Sequence, residues 1–256
     1  MQHTQPLLKF SITGGTPPNT SISVFVYNNK EAIILIENGW PIIQNTNEVG
    51  TYKYTISQEE LQELINNLEK IKGTHTQYGE KQSGSLRYNL SIFNGANSKK
   101  IQWEHFAKIP EQLNNLKTSL QELIKNGLHY NYQTIKASFE ISASNATISL
   151  HNTGKVPVTL LVPTHELLKK RMFLVSQTDR TNNISIPEIY GLATPFGYEF
   201  SKNTISIQAN ETVTFNSTIQ TEKTKEYFAI VETQWTTMEF INKKVFPFLF
   251  AKAVHN

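Results

Sequence analysis

Hydrophobic residues recur every three to four positions in two segments of the first half of this chain, and nowhere in the second half. That change of period, more than any single motif, limits what the chain can fold into. In "SQEELQELINNLEKI", Leu61, Leu64, Ile65, Leu68 and Ile71 fall on one helical face, and Ser57 and Glu60 stand at the spacing of a capping box. In "PEQLNNLKTSLQELIKNG", Leu113, Leu116, Leu120, Leu123 and Ile124 form a second stripe, with Pro110 placed for the first turn and Gly127 placed just past the end. Between and before these stripes the pattern is strand-like. "SISVFVYNNKEAIILIENG" reads as a hairpin turning at Asn28-Asn29-Lys30, with asparagine supplying the left-handed backbone a tight turn needs; "SLRYNLSIFNGANSKKIQW" reads as another around Asn94-Gly95. Another strand is expected at Tyr52–Thr55.

From about Tyr132 onward come short alternating runs: "IKASFEI", "ATISLHN", "VPVTLLV", "RMFLVSQ", "TISIQAN", "TVTFNSTI", "EYFAIVET" and "VFPFLFAKA". "HELLKK" reads as one short helical turn among them. The 256 residues suffice for two domains, each able to bury its own core. The expected fold class is α+β: an antiparallel sheet with two helices on one face over residues 1–127, then an immunoglobulin-like β-sandwich over residues 133–256, the boundary falling in Asn126–Thr134. So short a connection implies that the two domains touch.

The most motif-like stretch is "SITGGTPPNTSISV". A loop that cradles phosphate places glycines between a strand and a helix, so that backbone amides converge on the anion. Here Gly14-Gly15 lead to a strand, and Pro17 and Pro18 remove two amides, so the segment reads as a strand-to-strand connection. With this connection, the hairpin and the two helices in order, the first 127 residues resemble the emfourin type of small bacterial domain, whose named member inhibits thermolysin-like metalloproteases. The matching positions are Phe10, Gly14, Gly15, Ser57, Glu60, Leu61, Leu64 and the helix led by Pro110; the stretch "GWPIIQNTNEVG" departs from the pattern, and no inhibitory residue carries over. The second half is more faintly similar to bacterial intracellular proteinase-inhibitor sandwiches and other immunoglobulin-like modules, through "LHNTGKVPVTLLV" and "ISIQANETVTFNSTI". What both resemblances imply is inhibition of a protease.

Composition narrows the chemistry. There is no cysteine, so thiolate catalysis, disulfides and cysteine-ligated zinc are excluded, and Asp179 is the only aspartate, which leaves paired-aspartate sites and Asp-rich calcium loops unbuilt. No Gly-x-Ser-x-Gly elbow occurs. His165-Glu166 begins like a zinc-protease helix, but Lys169 stands where the second histidine is needed. No cofactor, metal or catalytic residue is expected, and the chain reads as no enzyme. Six Asn-x-Ser/Thr triplets read as chance in an Asn- and Thr-rich chain. The net charge of +3 comes with scattered lysines and only three arginines, which argues against nucleic acid, and no run is apolar enough for a membrane span. As written the start lacks a secretory signal, which points to the cytoplasm; removal of such a signal would point to the periplasm.

The long connection Thr178–Asn203 is the expected binding element. Loops of such length are often functional, and Arg180, Tyr190, Phe196, Tyr198 and Phe200 are of the types enriched at interface hot spots. The same aromatics could instead plug the end of the sandwich. The functional expectation is a non-catalytic protein-binding protein, an inhibitor or immunity-type antagonist of a bacterial protease or toxin that occludes its partner's surface. A structural or adhesive module recognising a glycan or envelope component is the first alternative, and a hydrolase without signature the second.

Overall fold

The computed structural model describes residues 5–15, 20–38, 48–142, 145–161, 172–177, 189–191, 204–218, 226–232, 234–235 and 248–255. It is sheet-rich with two helices, an α+β composition, and divides into two compact units: Met1–Gln44 with Thr51–Tyr132, and Asn45–Gly50 with Gln133–Asn256.

In the first unit β1 (Leu8–Gly14) pairs antiparallel with β2 (Thr20–Val26), which pairs antiparallel with β3 (Glu31–Asn38). There follow β4 (Glu48–Thr55), which belongs to this unit from Thr51 on, α1 (Gln58–Lys70), β5 (Gln77–Tyr78), the hairpin of β6 (Leu86–Asn94) and β7 (Asn97–Glu104), and α2 (Glu111–Gly127). The spatial order is β4-β3-β2-β1-β6-β7-β5, so β1 lies between β2 and β6. Alternation places Leu8, Phe10 and Ile12 of β1, Ile22, Val24 and Val26 of β2, and Tyr88 and Leu90 of β6 in the core, all at most 2% exposed. The helices supply Leu61, Leu64, Leu68, Leu113, Leu116 and Leu120; α2 packs on β3 and against α1.

The local signals at α1 are realised. The Ser57 hydroxyl accepts the Glu60 amide at 3.1 Å, and the Glu60 carboxylate accepts the Ser57 amide at 2.7 Å, which satisfies two of the otherwise orphaned donors. The β1–β2 connection is likewise between strands. Gly14 has φ +99°, and a Cβ there would sit 2.5 Å from the Ser85 carbonyl oxygen, so only glycine fits this backbone against β6. Thr16–Asn19, which contains both prolines, lies outside the described residues.

Two local expectations need correction. In the β2–β3 turn the left-handed residue is Lys30, at φ +69°, rather than an asparagine. The Lys30 amide closes a turn on the Tyr27 carbonyl at 3.1 Å, and Asn29 uses its side-chain oxygen to accept the Glu31 amide at 3.2 Å. The asparagine's hydrogen bonding is used in the turn while its neighbour bears the backbone strain. At α2, Pro110 is the N-cap rather than the first helical residue, and Gly127 is the last residue of the helix rather than the one beyond it. Gly127 is there for closeness: a Cβ would lie 2.2 Å from Ile34 Cδ1 and 3.5 Å from Tyr54 Cβ. The missing side chain lets the end of α2 lie on β3 and β4.

The second unit contains β8 (Asn131–Ser142, from Gln133), β9 (Asn145–Asn152), β10 (Val158–Leu161), β11 (Met172–Gln177), β12 (Ile189–Gly191), β13 (Thr204–Ile207), β14 (Thr212–Thr218), β15 (Glu226–Glu232), β16 (Gln234–Trp235) and β17 (Phe248–His255). Each of the eight strand-like runs of the sequence overlaps one of these strands; β12 and β16 are additional. β8, β9 and β14 pair antiparallel in that order, as do β12, β11, β15 and β17, and β17 pairs in parallel with β8. β10 pairs with both β13 and β16 in a separate three-stranded sheet. Ile135, Ala137, Phe139 and Ile141 of β8 meet Ile148 and Leu150 of β9 in the core. "HELLKK" lies outside the described residues.

A polar node stands in this second core. Asn152 is fully buried, with its amide group donating to the Val156 and Ile207 carbonyls at 2.9 and 2.8 Å and its oxygen accepting the Gly154 amide at 2.9 Å. Beside it, the hydroxyls of the fully buried Thr134 and of Thr153 lie 2.7 Å apart, and Thr153 donates to Glu48. Every hydrogen-bonding position of the Asn152 side chain but one is thereby filled, as burial of an amide requires.

Candidate interaction site

Of the residues expected to bind a partner, Arg180, Phe196 and Tyr198 lie outside the described residues. Tyr190 is on β12, opposite Leu174 of β11. The Thr178–Asn203 connection therefore carries a short strand where an irregular loop was expected, because Ile189–Gly191 finds a free edge on β11.

The structure offers a different site, at the end of β7. Among the described residues the exposed large hydrophobic side chains are Phe106, 80% exposed, and Tyr130, 47% exposed. Phe106 sits at the tip of a tight turn whose closing bond runs from the Ala107 amide to the Glu104 carbonyl at 3.0 Å. The turn is held from several directions. The His105 amide donates to the Leu86 carbonyl at 2.9 Å, Arg87 Nε donates to the buried Glu104 carboxylate at 2.7 Å, and the Tyr88 hydroxyl lies 2.9 Å from His105 Nδ1.

These contacts follow from strand register. Tyr88 on β6 is directly opposite Trp103 on β7, and Arg87 is opposite Glu104, so one pair of neighbours faces the core while the next makes the ion pair. The rings form a continuous series from core to surface. Phe10 stacks with Tyr88 and Trp103 at 6.1 and 6.0 Å, Tyr88 with Trp103 at 5.5 Å and with His105 at 6.0 Å, and His105 meets Phe106 edge-on at 4.7 Å. Lys117 of α2 places its ammonium 5.3 Å from the Tyr88 ring centre. Burial raises the Tyr88 phenol above its ordinary value, so it stays a neutral partner for the imidazole.

A second, smaller aromatic surface lies at the end of β4. The rings of Tyr54 and Tyr130 are 5.1 Å apart, the Tyr54 hydroxyl reaches Glu60 at 3.4 Å, and Lys53 pairs with Glu31 at 2.9 Å and lies over the Tyr132 ring. Burial, and then the charge of Glu60, raise the Tyr54 phenol.

Among the described residues no three histidines or carboxylates come together as a metal would need, and no helix is long and apolar enough to cross a membrane. His129 is exposed, and His151 is bonded to Thr212 at 2.9 Å. Phe106 is not among the residues to which the sequence patterns point. Its signal was an aromatic in the polar "EHFAK" immediately after an inward-facing tryptophan, where strand alternation would have ended. No protein-family model and no curated protein matches this chain.

Proposed function

We propose that this chain is a non-enzymatic protein-binding protein, an inhibitor or immunity-type antagonist of a protease or toxin that covers part of its partner's surface. The observation that carries this reading is Phe106: a large apolar ring, 80% exposed, on a turn fixed by an ion pair, a His–Tyr contact and two backbone bonds. A ring carried on a backbone fixed before binding costs little main-chain freedom on entering a pocket, which is one way interface anchors gain their affinity. The second unit supports the same class of protein. Its pairings β8-β9-β14 and β12-β11-β15-β17 follow the A-B-E and C′-C-F-G orders of an immunoglobulin-like sandwich, a scaffold that displays loops for recognition.

The test is inhibition of a thermolysin-type metalloprotease by the whole chain. The expected result is stoichiometric loss of peptidase activity, weakened at least tenfold by Phe106→Ala with no change in melting temperature. Full protease activity in the presence of excess chain would overturn the inhibitor reading for that class. A second reading, a module binding a glycan or envelope component, is favoured by the Tyr54–Tyr130 pair, since the half-exposed Tyr130 ring beside Tyr54, whose hydroxyl reaches the Glu60 carboxylate, suits a polar ligand with apolar faces.

A further inference from the structure

The first turn after α1 is held by a residue from another strand. Helix ends leave their last carbonyls without intrahelical donors, and a basic side chain is the natural partner for them. At the end of α1 such a side chain comes from β7: Lys99 Nζ donates to the carbonyl of the C-cap residue Ile71 and to those of Lys72 and Thr74 in the turn beyond it, at 3.1, 2.6 and 3.0 Å. All three hydrogens of the ammonium are matched to one acceptor each.

These carbonyls begin a strap that runs along the outer edge of β7. The Thr74 amide and hydroxyl both return to the Ile71 carbonyl, at 3.1 and 2.7 Å, and the His75 amide donates to the Tyr78 hydroxyl at 3.0 Å. The strap meets the edge where the Gln102 amide donates to the Thr76 carbonyl at 2.9 Å, and where β5 pairs in parallel with Gln102 and Trp103. Gln102 is therefore an outward-facing edge position whose backbone donor is covered by the strap and not by another full strand. The pairing itself is only two residues long.

We infer that Lys99 is a charge-dependent latch that keeps the Ile71–Tyr78 strap closed over the edge of β7. The ammonium ties the start of the strap to the strand it covers with three ion–dipole bonds. Neutralising it removes the ammonium from the C-cap carbonyl of Ile71, which keeps its two bonds from Thr74, and from the carbonyls of Lys72 and Thr74 just beyond the helix, while leaving the β1–β6–β7 core untouched. An opened strap presents an unpaired strand edge, the feature that recruits a further strand from another chain.

Amide hydrogen exchange on the whole chain tests this, comparing the unsubstituted protein with Lys99→Met and Lys99→Arg. In K99M the Gln102 amide is expected to exchange at least tenfold faster, with the amides of β1 and β2 unchanged; in K99R, which keeps the charge, Gln102 is expected to remain within about threefold of the unsubstituted chain. Gln102 protection unaltered in K99M overturns the latch. So does acceleration of all amides together or failure of K99M to fold, because Lys99 would then belong to the global core, and so does a K99R chain that opens as K99M does.

Discussion

The two units solve the problem of a sheet interior in opposite ways. The first packs rings: Phe10, Tyr88 and Trp103 stack at 5.5–6.1 Å across three neighbouring strands, with the polar tip of Tyr88 led outward to His105. The second buries an amide, and Asn152 holds a turn and two strand ends by three hydrogen bonds, with Thr134 and Thr153 beside it. The burial of apolar area that dominates ring packing is non-directional, so it favours compactness more than any one arrangement, with the ring geometry a smaller term. The buried amide is directional. It contributes modestly to stability when satisfied and costs heavily when its partners are orphaned, so it fixes one geometry for the turn after β9 against the end of β13.

The contrast can be broken or sharpened by substitution. The largest effect is expected for Phe10→Ala, which removes a fully buried ring and leaves a cavity between Tyr88 and Trp103; about 3–5 kcal/mol should be lost from the first unit, read from the denaturant dependence of its ring and methyl NMR signals. The pairing of β1 with β2 and β6 should persist, since backbone bonds specify it. Asn152→Ala should cost the second unit less, about 2–3 kcal/mol, because a backbone amide and two carbonyls lose their partners. Its mark should be structural: faster exchange at Gly154 and altered shifts around Ile207. Equal losses with no local signature in either variant would erase the distinction between the two cores.

The smallest effect concerns pH. The folded chain holds the Tyr88 proton more tightly than the unfolded chain does, because burial raises the phenol above 10.0. The resulting stabilisation is complete below that value and fades as pH rises through the folded one. Phenolate absorbance should show Tyr88 ionising after the exposed tyrosines, and the melting temperature of the first unit should fall over the same range; Tyr88→Phe should remove that part of the decline.

Features whose cause lies within a few residues could be read from the sequence. Ser57 and Glu60 cap α1 as their spacing implies, and the five apolar positions from Leu113 to Ile124 are buried as the helical period implies. What escaped was fixed by distant partners. Gly127 stands where a helix terminator belongs, and its real constraint is Ile34, far away in the chain. Lys30 adopts a conformation suited to asparagine because the flanking strands fix the turn. The candidate site was missed for the same reason: the exposure of Phe106 depends on Arg87, Tyr88 and Leu86, one strand away. The aromatic content of residues 178–203 points to binding by composition alone, and of its expected contacts only Tyr190 is among the described residues, paired in a strand.

The parallel pairing of β17 with β8 has a consequence for how the protein is made. β17 joins β15 to β8, so the strand that completes the second unit's sheet is translated after every strand it connects. Until it leaves the ribosome, β8 and β15 each lack this neighbour, and joining them is a long-range step of the kind that slows folding.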